Sequence, residues 1–211
     1  MASAVDICNL ALGHLGDKAT VASLEPPEGS AQAEHCARFY PLARDTLLEL
    51  HTWNFATKRI TLAQLTSAWT EWDYAYAQPA DAIKLLSLVP PGGTDDNVQI
   101  ATTDGLYSPY PYAREVDETG ADVIYTDIED AICRYIGRVE DTTRFSPLFV
   151  HTLSWHLASM LAGPIIKGDQ GAAEAKRCAQ MAQMWLSKAQ VPDANQGRQV
   201  PVHTVSWMAN R

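Results

Sequence analysis

The chain has 211 residues, 46% of them apolar and 19% charged, which suits one folded domain or a domain with a modest insertion and excludes an intrinsically disordered chain. Sixteen basic against 25 acidic residues leave a formal charge of −9, which repels a phosphate backbone and argues against specific nucleic-acid binding. A conduit through which DNA only slides tolerates that balance, because it benefits from few cationic anchors.

In chain order, Ser3 caps a first helix over about residues 4–15, where Val5, Cys8, Leu12 and Leu15 recur at helical spacing and Gly16 ends the run. Asp17 to Gly29, with Pro26 and Pro27, reads as a loop. Ser30 opens a second helix reaching about His51, with a core stripe of Cys36, Tyr40, Ala43, Leu47 and Leu50 and with Pro41 removing one helical hydrogen bond.

From Trp53 to about Arg144 the period shortens. Ile83 to Val89, Asn97 to Ile100 and Asp122 to Tyr125 alternate as short strands, punctuated by turns at Pro90-Pro91-Gly92-Gly93 and Asp104-Gly105. Ile132 to Val139 suits either a last strand or the buried start of the next helical region. Ser146-Pro147 then opens a third helix with the stripe Phe149, Leu153, Leu157 and Met160, which Gly163-Pro164 is expected to stop. A fourth helix, about Asp169 to Gln190, carries a seam of small side chains at Ala172, Ala175, Ala179, Ala182 and Leu186.

The pattern is α+β: mainly a bundle of about four helices (1–56 and 145–190), a small β-rich insertion (57–144), and an extended C-terminal arm (191–211). That arm holds Val200, Val202, Val205, Trp207 and Met208, too apolar for a free tail, so it is expected to dock. Trp69 and Trp72 lie in aperiodic sequence where a core role is least assured. Tyr107, Tyr110 and Tyr112, interleaved with Pro109 and Pro111, form either a packed surface loop or a protein contact. Trp53 and Trp155 read as bundle core.

Chemistry-bearing patterns are sparse. The Pro-Pro-Gly-Gly turn lacks the Lys and Ser or Thr of a phosphate loop. His151 and His156, five apart on a helix, point to different faces, whereas a zinc pair needs a spacing of four. His35-Cys36 has no nucleophile signature, and Asp95-Asp96, Asp127-Glu129-Asp130 and Glu140-Asp141 lack a calcium-loop register. No catalytic, cofactor or metal-binding residues are expected. Cys8, Cys36, Cys133 and Cys178 are far apart and read as buried free thiols of a protein assembled in a reducing cytoplasm. The N-terminal segment lacks the basic start and long apolar run of a signal peptide, and no membrane span is expected.

Three segments carry a resemblance. Ala11-Leu12-Gly13-His14-Leu15-Gly16, then Leu47 to Arg59 (LLELHTWNFATKR), then Tyr74-Ala75-Tyr76-Ala77-Gln78-Pro79-Ala80-Asp81 follow one another as in the tail tubular protein A family, the head-to-tail adaptors of short-tailed bacteriophages. Val123 to Val139 and Phe145 to Phe149 with the helix after it are similar to the same family. The resemblance implies a non-enzymatic virion subunit of a homo-oligomeric, twelve-membered ring between portal protein and tail nozzle protein, with genome DNA passing through its lumen. It implies a portal-reaching arm at Val191 to Arg211. A head-completion connector of a long-tailed phage fits the same pattern. A cytoplasmic helical regulator binding protein through the arm, or a small hydrolase using His151 or His156, would represent other classes.

Overall fold

The structure is a computed structural model that describes residues 2–18, 20–66, 69, 71–93 and 110–196. Among the described residues it is mixed α and β, with four α-helices and two antiparallel sheets. The strand expected at Asn97 to Ile100 and the Asp104-Gly105 turn lie outside the described residues. Two compact units divide the described residues: one takes those up to 57 together with 136–194, the other takes 58–135 together with 195 and 196.

The helical unit begins with α1 (Ala4–His14). Its first turn is closed reciprocally: the Ser3 hydroxyl accepts from the Asp6 N–H at 3.1 Å while the Asp6 carboxylate accepts from the Ser3 N–H at 2.8 Å. Helix α2 (Ala31–Leu50), capped by Ser30, runs through Pro41. Its last expected core position, Leu50, is 55% exposed, so burial on this helix ends at Leu47 and Leu48. A 3₁₀ turn, Asn54–Ala56, follows, and Trp53 before it is fully buried, its indole N–H donating to the Leu47 carbonyl at 2.7 Å.

Helix α3 (Pro147–Ile166) starts at the Ser146 cap as expected but does not stop at Gly163-Pro164. Proline this close to the C-terminus forfeits only one hydrogen bond. The helix ends instead where Lys167 and Gly168 both take φ of +60°. Ala158 and Leu161 carry the late core, and Met160 is only half-buried.

Helix α4 (Gly168–Ala194) extends past Pro192, so the segment expected to begin an arm at residue 191 is still helical. The expected alanine seam is also displaced: Ala172 and Ala179 are exposed, and the buried line is Gly171, Cys178, Ala182, Leu186 and Ala189. Gly171 is needed there, because a Cβ would come within 3.1 Å of the Ala162 carbonyl oxygen on α3. Helix α3 packs against each of the other three. All four cysteines are free and buried, Cys8 on α1 and Cys36 on α2.

The β unit at 58–135 falls within the β-rich segment expected at 57–144. β1 (Thr57–Thr61), β7 (Ile132–Gly137) and β4 (Ala82–Val89) form one sheet in that order; β2 (Gln64–Leu65), β3 (Tyr74–Ala77), β6 (Asp122–Thr126) and β5 (Tyr112–Val116) form the other. The ambiguous run Ile132 to Val139 is thus a strand over its first six residues. Between the sheets lies a core of Leu62, Tyr76, Leu88, Ile124, Ile128, Ala131, Cys133 and Tyr135.

Candidate interaction surface

Register in the four-stranded sheet decides which side chains face out. Leu65 pairs with Ala75, Ala75 with Tyr125, and Tyr125 with Ala113; Ala77 pairs with Val123, and Val123 with Glu115. Directly opposed residues share a face, so these make one row, and Tyr74, Tyr76, Ile124, Thr126, Tyr112 and Arg114 make the other. The second row turns inward. Tyr76 is 1% exposed, and its hydroxyl donates to the Ile128 carbonyl at 2.7 Å.

Of the three tyrosines weighed as a packed loop or a protein contact, Tyr110 and Tyr112 are half-buried and pack against the inner core beside Tyr74, and burial pushes the Tyr112 hydroxyl pKa up. Tyr107 lies outside the described residues, as do Val200, Val202, Val205, Trp207 and Met208.

The outer row is the part that offers a surface. Ala75, Val123 and Tyr125 are buried there under Trp72 and Ala113. Trp69, in contrast, is 55% exposed, and Leu65 beside it 38%. Two hollows open against Trp69. One, of about 330 Å³, is lined by Trp69, Glu71, Trp72, Glu115 and Tyr125. The other, of about 340 Å³, lies among Leu65, Trp69, Ala75, Val123 and Tyr125, with Asp117 and Glu118 at its side. Of the two sequence-selected tryptophans, Trp72 therefore anchors the face and Trp69 presents it. The acidic rim was missed, since each carboxylate belongs to the site only through strand register.

Asp117 has a structural duty as well. Its carboxylate accepts from the Thr119 hydroxyl at 2.6 Å and from the N–H groups of Thr119 and Ala121 at 2.8 Å each, and these bonds, the Thr119 hydroxyl first, lower its pKa. It closes the β5–β6 turn while keeping its negative charge at the hollow. Glu71, Glu115 and Glu118 are exposed. The face thus presents an exposed indole beside Trp72 and Tyr125, rimmed by Glu71, Glu115, Asp117 and Glu118.

The residues weighed for chemistry have packing roles. His151 accepts from the Trp155 indole N–H through Nε2 at 3.3 Å and stands edge-on to Trp185, with ring centroids 4.2 Å apart. Trp155, expected in the core, is half-buried and stacks on His14 at 3.7 Å. His156 Nε2 is buried without a hydrogen-bond partner among the described residues. Cys36 is buried as a free thiol, and His35 Nδ1 is buried without a hydrogen-bond partner among the described residues. Asp141 caps the 3₁₀ turn Thr142–Arg144, and Asp127 accepts from the Asp73 N–H at 3.2 Å. Among the described residues no group of three or more His, Cys, Asp or Glu is placed to hold a metal ion, and no helix is long and apolar enough to cross a membrane.

No protein-family model matches the chain, and no curated protein matches it significantly.

Proposed function

We propose that the chain is a structural bacteriophage protein, a head-to-tail adaptor whose copies form a ring, of twelve by the resemblance, between the portal and the tail nozzle. It is assembled in the host cytoplasm and resides at the head–tail junction, with genome DNA passing through the lumen. The architecture under this reading is a helical bundle carrying a β-rich insertion, with residues 197–211 as the docking arm. The one observation that carries the reading is the outer face at Trp69, an exposed aromatic contact surface on a unit that already has its own core.

Two of the segments that carry the resemblance hold residues that build the fold. Leu47 to Arg59 holds the buried Trp53 with its bond to Leu47, the 3₁₀ turn and β1. Tyr74 to Asp81 holds the inward tyrosines of β3 and ends on Asp81, which pairs with Lys58 and accepts from the Tyr135 hydroxyl at 3.0 Å. These are fold-defining residues.

A ring also requires a lateral contact that buries well over about 1,000 Å² and an element that adapts to neighbours of different symmetry. Trp69 and Trp72 are assigned to the first. Val200, Val202, Val205, Trp207 and Met208 are assigned to the second. The test is cryo-electron microscopy of the protein mixed with the portal and tail proteins encoded beside it. Density for a ring between the two, with residues 197–211 ordered against the portal, is the expected result. Failure to associate with either partner would return the chain to a helical protein-binding regulator.

A further inference from the structure

Ala37, Tyr40, Pro41 and Arg44 recur at the three- and four-residue spacing that puts them on one side of α2, and all four line a cavity of about 590 Å³. Ser3, Ala4 and Val5 at the start of α1 make a second wall, and Ala22 to Glu25 a third. The third wall is pinned in place. Asn9 on α1 and Val21 exchange two hydrogen bonds, at 2.9 and 2.8 Å, and the Ala22 N–H donates to the Glu28 carboxylate at 2.8 Å. All the lining residues lie within the helical unit.

The α2 wall carries polar groups with capacity to spare. Tyr40 is 6% exposed, yet its hydroxyl has no hydrogen-bond partner among the described residues, so folding desolvates this donor without a bond in return. Burial pushes its pKa up to about 12, against the pull of Arg44, which keeps the hydroxyl a neutral donor. Pro41 has no N–H to give the Ala37 carbonyl one turn back, so an acceptor on the same wall lacks its helical donor. Arg44, 7% exposed, donates through Nε to Asp45 at 2.8 Å, while its Nη2 stands 3.8 Å from Glu140, beyond hydrogen-bond reach.

Charge limits what can enter. Arg44 opposes a cation, and the exposed carboxylates of Glu25 and Glu140 oppose an anion. A neutral group that accepts from a hydroxyl and donates to a carbonyl is an amide. We propose that this cavity is a binding site for a small neutral amide bearing an aliphatic group. The amide oxygen accepts from the Tyr40 hydroxyl, its N–H donates to the Ala37 carbonyl, and the aliphatic group lies against Val5, Leu24 and Pro41. The inference does not rest on the adaptor reading.

N-acetylleucinamide, titrated into the full-length protein and followed by backbone amide chemical shifts, tests it. Saturable shifts centred on Val5, Leu24 and Ala37 are expected, with a Kd on the order of 1 mM for a ligand of about a dozen non-hydrogen atoms. Tyr40→Phe removes only the hydroxyl; it should weaken binding about tenfold while the melting temperature does not fall, because no bond within the fold is lost. Ala37→Leu, which fills the cavity from the same wall, should abolish the shifts. N-acetylleucine, the carboxylate analogue, should bind more weakly than the amide. Absence of saturable shifts at the lining residues overturns the proposal, as does equal binding by Tyr40→Phe. A lower melting temperature for Tyr40→Phe would show the hydroxyl already engaged, and tighter binding of N-acetylleucine would make this an anion site; either result also overturns it. Portal attachment plays no part in the readout, so this inference and the adaptor reading fail separately.

Discussion

Trp53 and His14 show how a single side chain ties distant sequence together. Trp53 is fully buried, meets Phe149 edge-on at 5.0 Å, and satisfies its only polar atom on Leu47. Trp53→Ala should cost about 3–5 kcal/mol, read as a lowered urea midpoint, and Trp53→Phe less, although Phe leaves the Leu47 carbonyl without its donor. His14 is held neutral. Burial, then His151 and Arg177 nearby, lower its pKa from 6.5 to about 4, and burial lowers His151 and His156 as well. The unfolded chain therefore binds more protons than the folded one between these values, so stability is complete above about pH 6.5 and declines as pH falls toward 4. For His14 alone the loss should be about 1–2 kcal/mol once partial exposure is discounted. His14→Phe, which keeps an aromatic ring available to stack on Trp155, should flatten the fall in urea midpoint between pH 7 and pH 4.5; an unchanged slope would show that His14 is not the responsible group. The core role of Trp53 was legible in sequence. That of His14 was not, because its partners Ser154 and Trp155 lie some 140 residues away.

At the scale of elements, capping residues were the most readable signal. Ser3, Ser30 and Ser146 each start a helix where a hydroxyl can accept an orphan N–H. Helix ends were less so, since Pro164 and Pro192 are carried inside α3 and α4 by tertiary packing. The phase of α4 was misread for a compositional reason: alanine occurs on every side of this helix, so its spacing marks no face, and the close approach to Ala162 chose Gly171. Gly171→Val should therefore destabilise by about 1–3 kcal/mol, whereas the neighbouring exposed Ala172→Val should stay within about 1 kcal/mol, both measured by chemical denaturation. In the sheets, β3 and β5 went unread although Tyr74-Ala75-Tyr76-Ala77 alternates cleanly. That alternation assigns the tyrosines to one face, and the register of β5 then carries Tyr112 to the same side. Tyr76→Phe should cost about 1–3 kcal/mol, because the Ile128 carbonyl loses its donor inside the core.

For the molecule as a whole, helices flanking a β-rich segment were legible from the change of period alone, whereas the candidate face was legible only through Trp69 and Trp72. An interface has no required chemistry, and its acidic rim gathers residues from the Trp69–Trp72 segment, from β5 and from the β5–β6 turn. How far the helical unit runs toward the C-terminus is the remaining question of scale, and α4 carries it past residue 190 to Ala194. Its last turn brings Asp193, 8% exposed, to the start of the 3₁₀ turn, where the carboxylate accepts from the Asn54 N–H at 3.1 Å and lies 3.3 Å from His51 Nε2, while the Asn54 side chain donates to the Asp193 carbonyl. A chain cut after Gln190 loses all of these and exposes the end of α2; it should be less stable by about 2–3 kcal/mol, a fall of several degrees in the melting temperature. A chain cut after Gln196 keeps them and should melt with the full-length protein. The second truncation is thus the informative one for function, since it removes Val200 to Met208 without touching the helical core. Under the adaptor reading it folds normally yet no longer attaches to portal-bearing heads, and normal attachment by the 1–196 chain would mean that the docking residues lie elsewhere, with the Trp69 face next to be tested.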